Sequence, residues 1–150
     1  MASREKVAQD LRHAAARVDA AIGGLSEEQA SSPAIDGWSV KDHLTHLTVW
    51  HEMRFFEISR VGRGGRSLTP TFGDVNAFNE TLGSMRRGLS LEQALADLAF
   101  AREMVQRAVA ECPEDRLDSK HYLEASPAGG VDHETEHADH IAGWRKTEGL

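Results

Sequence analysis

Apolar residues recur every three or four positions in four long stretches of the chain, a spacing typical of amphipathic helices. The stretches cover residues 4–22, about 39–60, about 90–111 and about 131–146. The first ends at Gly23-Gly24, a pair that favours the end of a helix. Its apolar face consists of Val7, Leu11, Ala14, Val18, Ala21 and Ile22.

Polar residues that can cap helices mark several of the predicted starts. Ser39 precedes the second long helix and Asp42 follows three residues later, so we expect the helix to begin directly after Ser39. Ser90-Leu-Glu-Gln93 has the same capping-box pattern at the start of the third helix. Ser26-Glu-Glu-Gln29 predicts a short helical turn before Pro33.

The segments between the long helices carry weaker signals. Residues 62–73 have the composition of a loop, and Asp74–Arg87 predicts a shorter helix that ends before Gly88. Residues 113–130 are irregular, with Gly129-Gly130 leading into the last helix. No strand pattern of useful length appears. We therefore predict an all-α fold, a four-helix bundle with an extra helix in one crossover, as a single domain over residues 1–150.

Composition and charge narrow the class of protein. The 150 residues are 40% hydrophobic and 27% charged, as in ordinary soluble globular proteins. A net charge of −7 argues against nucleic-acid and anionic-membrane partners. The sequence has no apolar run long enough for a membrane span and no secretory signal, and its one cysteine, Cys112, excludes an intrachain disulfide. We expect a cytoplasmic location, and for Cys112 either packing or surface placement rather than a catalytic role.

Three histidines in the last predicted helix are candidate metal ligands. His133, His137 and His140 stand at i, i+4 and i+7, and two imidazoles one turn apart can chelate one ion. In a bundle, a third ligand can come from a facing helix. The second helix offers His43, His46 and His51; periodicity favours His51, which lies within the apolar stripe, but does not decide among them.

Residues 133–137 also read H-E-x-x-H, the signature of zinc proteases. In those enzymes a third protein ligand follows downstream, but only 13 residues (138–150) follow His137 and none fits the known patterns. A strand to hold a peptide substrate is also missing from the predicted elements. The protease interpretation is therefore rejected, and Glu134, about 100° around the helix from His133, is expected to face solvent.

Two motifs resemble the DinB/YfiT-like superfamily. Trp38-Ser39, followed by His46-Leu47, is similar to its second-helix pattern W-S-x-x-x-x-x-x-H-L, and the residues from His133 to Arg145 resemble its closing helix. The resemblance implies an up-down-down-up four-helix bundle with a metal ion held by three histidines. Carried over by position, the ligands are His46, His133 and His137. Zn²⁺, Ni²⁺ and Fe²⁺ all suit such a site.

The resemblance also implies a function. It points to a metal-dependent transferase or hydrolase that acts on a small electrophilic molecule, by thiol-dependent S-transfer or isomerisation or by hydrolysis. A low-molecular-weight thiol is a candidate cosubstrate, and relatives often form homodimers. The alternative is a non-catalytic bundle that binds a small molecule in stress response or resistance. Catalytic residues are not identified by either motif.

Other side chains have competing interpretations. The remaining histidines are assigned to structure or surface, and for His140 a place in the pocket or in a second layer around the metal is kept as an alternative. Arg102 interrupts the apolar stripe of the third helix, so it is paired, lines a cavity for an anionic substrate, or extends to the rim of the bundle. Tryptophan packing in the core is expected, with Trp50 as an alternative pocket wall. The histidines assigned to structure or surface are His13, His43, His51 and His121.

Overall fold

A computed structural model describes residues 3–69 and 73–150, and the regular structure in them is helical. The only extended pairing in this part of the chain is an isolated bridge between Ile35 and Trp38. The predicted all-α class is confirmed; residues 70–72 of the predicted loop lie outside the described residues. The helices are α1 (Arg4–Ile22), α2 (Glu27–Ser31), α3 (Val40–Gly62), α4 (Val75–Ser84), α5 (Leu91–Glu111) and α6 (Pro127–Glu148), with 3₁₀ turns at Glu114–Arg116 and Ser119–His121.

The predicted helix starts at serine caps are confirmed. At the start of α3, the Ser39 hydroxyl accepts the backbone N–H of Asp42 at 3.1 Å, and the Asp42 carboxylate accepts the backbone N–H of Ser39 at 2.8 Å. Ser26 and Ser90 form the same reciprocal pair at the starts of α2 and α5. These contacts satisfy backbone donors that a helix leaves unpaired at its N-terminus.

The start of α6 was predicted wrongly. The helix begins at Pro127 rather than near residue 131, because Ser126 caps it and proline suits the first helical position. Gly129 and Gly130 thus lie in its first turn. A Cβ on Gly130 would lie 3.0 Å from Nε of Arg54, so the glycine makes room for that side chain instead of ending a loop.

Contacts between particular residues give the directions of the four long helices. α1 and α6 run in the same direction, as do α3 and α5, and the two pairs run opposite to each other. This agrees with the up-down-down-up order that the resemblance implies. For α1 and α6 the contacts are Arg17 with Asp139 and Arg145 with Ala21. For α3 and α5, Lys41 and Leu91 both contact Glu27 at the helix starts, and Gly62 lies next to Cys112 at the helix ends. For α3 and α6 the contacts are His43 with His137 and Arg54 with Ser126.

The core has two hydrophobic clusters, one toward each end of the bundle. The first includes Leu44 and Leu98, and the second includes Ile58 and Val105. Between them lies a polar layer, which we define as the buried residues His51, Arg54 and Glu134 together with the half-buried Arg102. Burying such groups is costly unless they are paired, so their partners define the middle of the bundle.

Within the described part of the chain, no helix combines the length and the apolar character needed to cross a membrane. Cys112 is buried at the end of α5 and packs in the second hydrophobic cluster, which is one of the two placements expected from the sequence.

Candidate metal centre

Three histidines from two antiparallel helices converge at one point. His46 of α3 and His133 and His137 of α6 each offer a ring nitrogen within 4.8 Å of the other two. Nε2 of His133 lies 2.9 Å from Nε2 of His46 and 3.1 Å from Nε2 of His137. The geometry thus brings together the three residues that the resemblance implies as ligands.

The spacing of these nitrogens fits a metal ion. Zinc–imidazole bonds are about 2.0–2.1 Å long, so two ligands at octahedral or tetrahedral angles hold their nitrogens about 2.8–3.4 Å apart. The two separations that involve His133, 2.9 and 3.1 Å, fall within that range. The donor set is suitable for Zn²⁺, Ni²⁺ or Fe²⁺, and imidazole alone does not select one of them.

The protonation state of the three rings also suits a metal. Burial lowers the pKa of His46 to about 4 and that of His137 to about 3, and it lowers the pKa of His133 as well. The cation of Arg54 adds to the effect on His46 and His133. Near neutral pH each imidazole is therefore uncharged and keeps a lone pair for coordination.

A second histidine group lies beside the first and shares His137. His43 is buried, and its Nδ1 lies 2.6 Å from Nδ1 of His137. His140 is exposed, with its ring centre 6.2 Å from that of His137 and 6.1 Å from that of His43. His140, whose role the sequence left open, therefore lies at the surface next to the candidate ligands and outside the first group. His43, assigned to structure or surface from the sequence, contacts a candidate ligand directly.

Trp38 covers the histidines from the outside, which differs from the core position expected for it. It is 39% exposed, and its ring centre lies 5.2 Å from that of His46 and 5.3 Å from that of His43. A tight turn through Asp36 and Gly37, both at positive φ, places it there directly before the Ser39 cap. Positive φ strains most residues and is easily adopted by glycine.

A cavity of about 400 Å³ opens between α3 and α4, next to His46. Trp50 is buried and is not among the residues that line it; the Trp50 indole N–H donates instead to Oδ1 of Asn79 at 3.0 Å. This bond fixes α4 against α3 and shapes the cavity. Its walls include Trp38, Asp42, Thr45, His46, Val49, Asn76, Asn79, Glu80 and Arg87.

The expectation that Glu134 faces solvent was wrong. Its side chain is 1% exposed, and it accepts a hydrogen bond of 2.7 Å from Nε2 of His51 and two of 2.7 Å from Arg102. α6 packs against α1 on one side and α3 on another. The side chain of Glu134, about 100° around the helix from His133, therefore still points into the bundle. Burial alone would raise the pKa of Glu134, but hydrogen bonds from Arg102 and His51 lower it to about 2.

Arg102 is paired, which was one of its three sequence interpretations. Besides Glu134, its guanidinium contacts the carboxylate of Asp19 at 2.8 Å. Arg102 also lines a cavity of about 340 Å³ together with Asp19, His51 and Glu134, and the carboxylates that it binds belong to the chain. His51, the ligand that periodicity favoured, is 2% exposed and its Nε2 is committed to Glu134.

Arg54 is a buried cation that sequence analysis missed. It is 4% exposed, donates from Nε to the carbonyl oxygen of Ser126 at 3.1 Å, and has no hydrogen-bond partner at Nη1 among the described residues. Burial lowers its pKa to about 10. A signal was present, because residues 47, 51, 54 and 58 follow helical spacing and place Arg54 on the apolar stripe of α3.

The fold and the site define a class: a four-helix bundle with a candidate metal centre of three histidines beside a cavity of about 400 Å³. Comparison with protein families matches residues 10–141 to the DinB superfamily, and the chain belongs to that superfamily. The crystal structure of an uncharacterised protein from Escherichia coli UTI89 has the same fold, with a TM-score of 0.82 and 13% sequence identity over 99% of this chain and 95% of that chain. A search of curated proteins finds no match.

Proposed function

We propose that His46, His133 and His137 hold a divalent metal ion, and that the chain is an enzyme acting on a small electrophilic molecule. The reaction class is thiol-dependent S-transfer or isomerisation, or hydrolysis. The observation that supports the proposal is the convergence of three imidazoles, with Nε2 separations of 2.9 and 3.1 Å, beside the cavity of about 400 Å³. DinB superfamily membership adds to it.

A divalent ion at this position would supply Lewis-acid chemistry, polarising a substrate and lowering the pKa of a bound water or thiol. The chain's own groups bind and orient the small molecule. Oδ1 of Asn79 accepts the Trp50 N–H, and this bond fixes the orientation of the Asn79 amide group. The two Nδ2 hydrogens of that amide can then donate to a ligand. Trp38 provides an aromatic surface at the entrance and restricts access of water to the histidines.

The alternative proposal is a bundle that binds a small molecule without converting it. One observation favours it: the two carboxylates in the cavity wall are already engaged. Asp42 caps α3 through Ser39, and Glu80 forms an ion pair with Arg87. Both lining carboxylates among the described residues thus have a partner, which favours binding over base catalysis by the chain itself.

Metal binding is the first test. We expect the purified chain to bind one equivalent of Zn²⁺ or Ni²⁺, measured by elemental analysis after dialysis, with a rise in melting temperature on addition of the ion. His46→Ala should abolish both effects, because it removes one of three ligands. His140→Ala is the matched control and should retain them, because His140 lies outside the group. A wild-type chain that binds neither ion overturns the proposal.

Turnover is the second test and separates the two proposed functions. The metal-loaded chain is incubated with a low-molecular-weight thiol and a fluorogenic electrophile such as a bimane, and separately with an activated ester. Thiol conjugation or ester hydrolysis that disappears in the metal-depleted chain supports an enzyme. Saturable binding of the small molecule, with a rate equal to that of the metal-depleted chain, supports the non-catalytic alternative.

A further inference from the structure

The contact between His43 and His137 joins two imidazole rings through the same type of nitrogen. Nδ1 of His43 lies 2.6 Å from Nδ1 of His137, and both rings are buried. Two lone pairs at this distance would repel each other, and two N–H groups would collide. One of the two nitrogens therefore carries a proton and the other accepts it.

The candidate metal centre decides which nitrogen carries the proton. In the ligand set, Nε2 of His137 points toward Nε2 of His133 at 3.1 Å, so its lone pair is the one available to an ion. A neutral imidazole that uses Nε2 as a ligand keeps its proton on Nδ1. His137 is then the donor to His43, and His43 carries its own proton on Nε2.

We propose that His43 is a positioning residue for the metal centre: its Nδ1 accepts the Nδ1–H of His137 and so fixes the tautomer and orientation of that ligand. The inference rests on the proposed function. Partners of this kind commonly change metal affinity about 10–100-fold when they are removed. Trp38, with its ring centre 5.3 Å from that of His43, holds the accepting ring in place.

The contact is better explained as a hydrogen bond than as a second metal site formed by His43, His137 and His140. Nitrogens that share one ion lie about 2.8–3.4 Å apart, given metal–nitrogen bonds of about 2.0–2.1 Å. The separation of 2.6 Å is slightly below that range and also slightly below the usual hydrogen-bond range of about 2.7–3.2 Å, so the hydrogen bond is the nearer fit. The third member of such a site, His140, is exposed, with its ring centre 6.2 Å from that of His137. An ion there would also have to use the nitrogen of His137 that faces away from the first group.

The hydrogen bond to His43 distinguishes His137 from His133, the other ligand on α6. Nδ1 of His133 is buried and has no hydrogen-bond partner among the described residues. Loss of the His43 acceptor would leave His137 with a buried, unsatisfied Nδ1–H and a ring free to present either nitrogen. We therefore expect His43 to contribute to metal affinity specifically through His137.

The test compares two polar substitutions with one apolar substitution. In His43→Asn the amide oxygen occupies approximately the position of Nδ1 and can still accept the proton, whereas His43→Gln places its oxygen near the position of Nε2 and His43→Leu removes it. Zn²⁺ affinity is measured by competition with a chromophoric chelator, and the stability of the metal-free chain is measured in parallel. We expect His43→Gln and His43→Leu to lose about 10–100-fold in affinity. We expect His43→Asn to remain within about threefold of wild type.

Each other outcome overturns the inference in a distinguishable way. Equal Zn²⁺ affinity in wild type, His43→Gln and His43→Leu means that His43 has only a packing role, while the proposed metal centre stands. Two equivalents of Zn²⁺ in wild type and one in His43→Leu mean that His43 is itself a ligand. A wild-type chain that binds neither Zn²⁺ nor Ni²⁺ removes the proposed function and this inference together. If His43→Leu does not fold, the comparison of His43→Gln with His43→Asn carries the test.

Discussion

Glu134 and Arg102 form a two-bond ion pair inside the bundle, with Nε and Nη2 of the arginine each 2.7 Å from a carboxylate oxygen. His51 donates a third bond, to the same carboxylate oxygen that accepts Nε of Arg102. Both oxygens of Glu134 are therefore engaged. In a zinc protease the Glu of H-E-x-x-H is the general base and must reach water at the metal. Here that carboxylate is committed to joining α6 to α5 and α3.

Replacement of Glu134 should therefore reduce stability. Glu134→Ala leaves the partly buried guanidinium of Arg102 with Asp19 as its remaining carboxylate partner, and it also removes the acceptor of His51. Breaking a fully buried ion pair costs about 3–5 kcal/mol, so we expect a loss toward the lower end of that range. We expect a lower free energy of unfolding in urea, with one equivalent of metal still bound by the folded fraction. Glu136→Ala is the control, because Glu136 is exposed on the same helix. Equal stability of the two variants would contradict the structural role of Glu134.

His51 and His46 should differ in what their removal changes. His46→Ala removes a candidate ligand, so we expect metal affinity to fall steeply with a modest change in the stability of the metal-free chain. His51→Ala removes a hydrogen bond to Glu134 and should lower the free energy of unfolding by about 1–3 kcal/mol while retaining the metal. The measurements are metal content and urea unfolding. Equal metal loss in both variants would show that the ligand on α3 is wrongly assigned.

Two glycines of α6 should respond oppositely to alanine. At Gly130 a Cβ would lie 3.0 Å from Nε of Arg54 and 3.0 Å from Cδ2 of Leu11, so Gly130→Ala should destabilise the chain by about 1–3 kcal/mol. At Gly143 a Cβ meets no atom within 4 Å, and Gly143→Ala should stabilise the helix by up to about 1 kcal/mol. Chemical denaturation checks both values. Gly130→Ala at wild-type stability would mean that Arg54 can move aside freely.

The thiol of Cys112 should react slowly in the folded chain. Its side chain is 2% exposed, and burial raises the pKa of the thiol, so little reactive thiolate is present near neutral pH. Labelling with an aromatic disulfide should be slow under native conditions and rapid in denaturant. Because Cys112 is the sole cysteine, the rate reports directly on opening around the end of α5. Rapid labelling under native conditions would contradict the packing role.

Features that depend on local sequence were predicted well. The residues of α1, the caps at Ser39 and Ser90 and the spacing of His133 and His137 follow from helix period and capping chemistry, which act within a few residues. The first turn of α6 was missed because Gly129-Gly130 was interpreted as a break. Ser126-Pro127 carried the opposite signal. The single domain and the homodimer stay predictions.

Features that depend on tertiary packing were not predictable from the helical wheel. The exposure of Glu134 was misjudged because the wheel gives an angle and not the number of helices that surround it. Arg102 and His51 each interrupt an apolar stripe, but which group pairs with which is decided by the arrangement of the bundle. Similarly, periodicity could not choose between His46 and His51; the motif resemblance pointed to His46, which the fold places beside His133.

Each of the four long helices contributes one residue to a connected set of charged and polar side chains: Asp19, His51, Arg102 and Glu134. Sliding any one helix by a single turn, about 5.4 Å, would separate partners that now lie 2.7–2.8 Å apart. Hydrophobic contacts tolerate such slippage far better. The set therefore fixes the axial alignment of the bundle, and in evolution these four positions are expected to change together rather than singly.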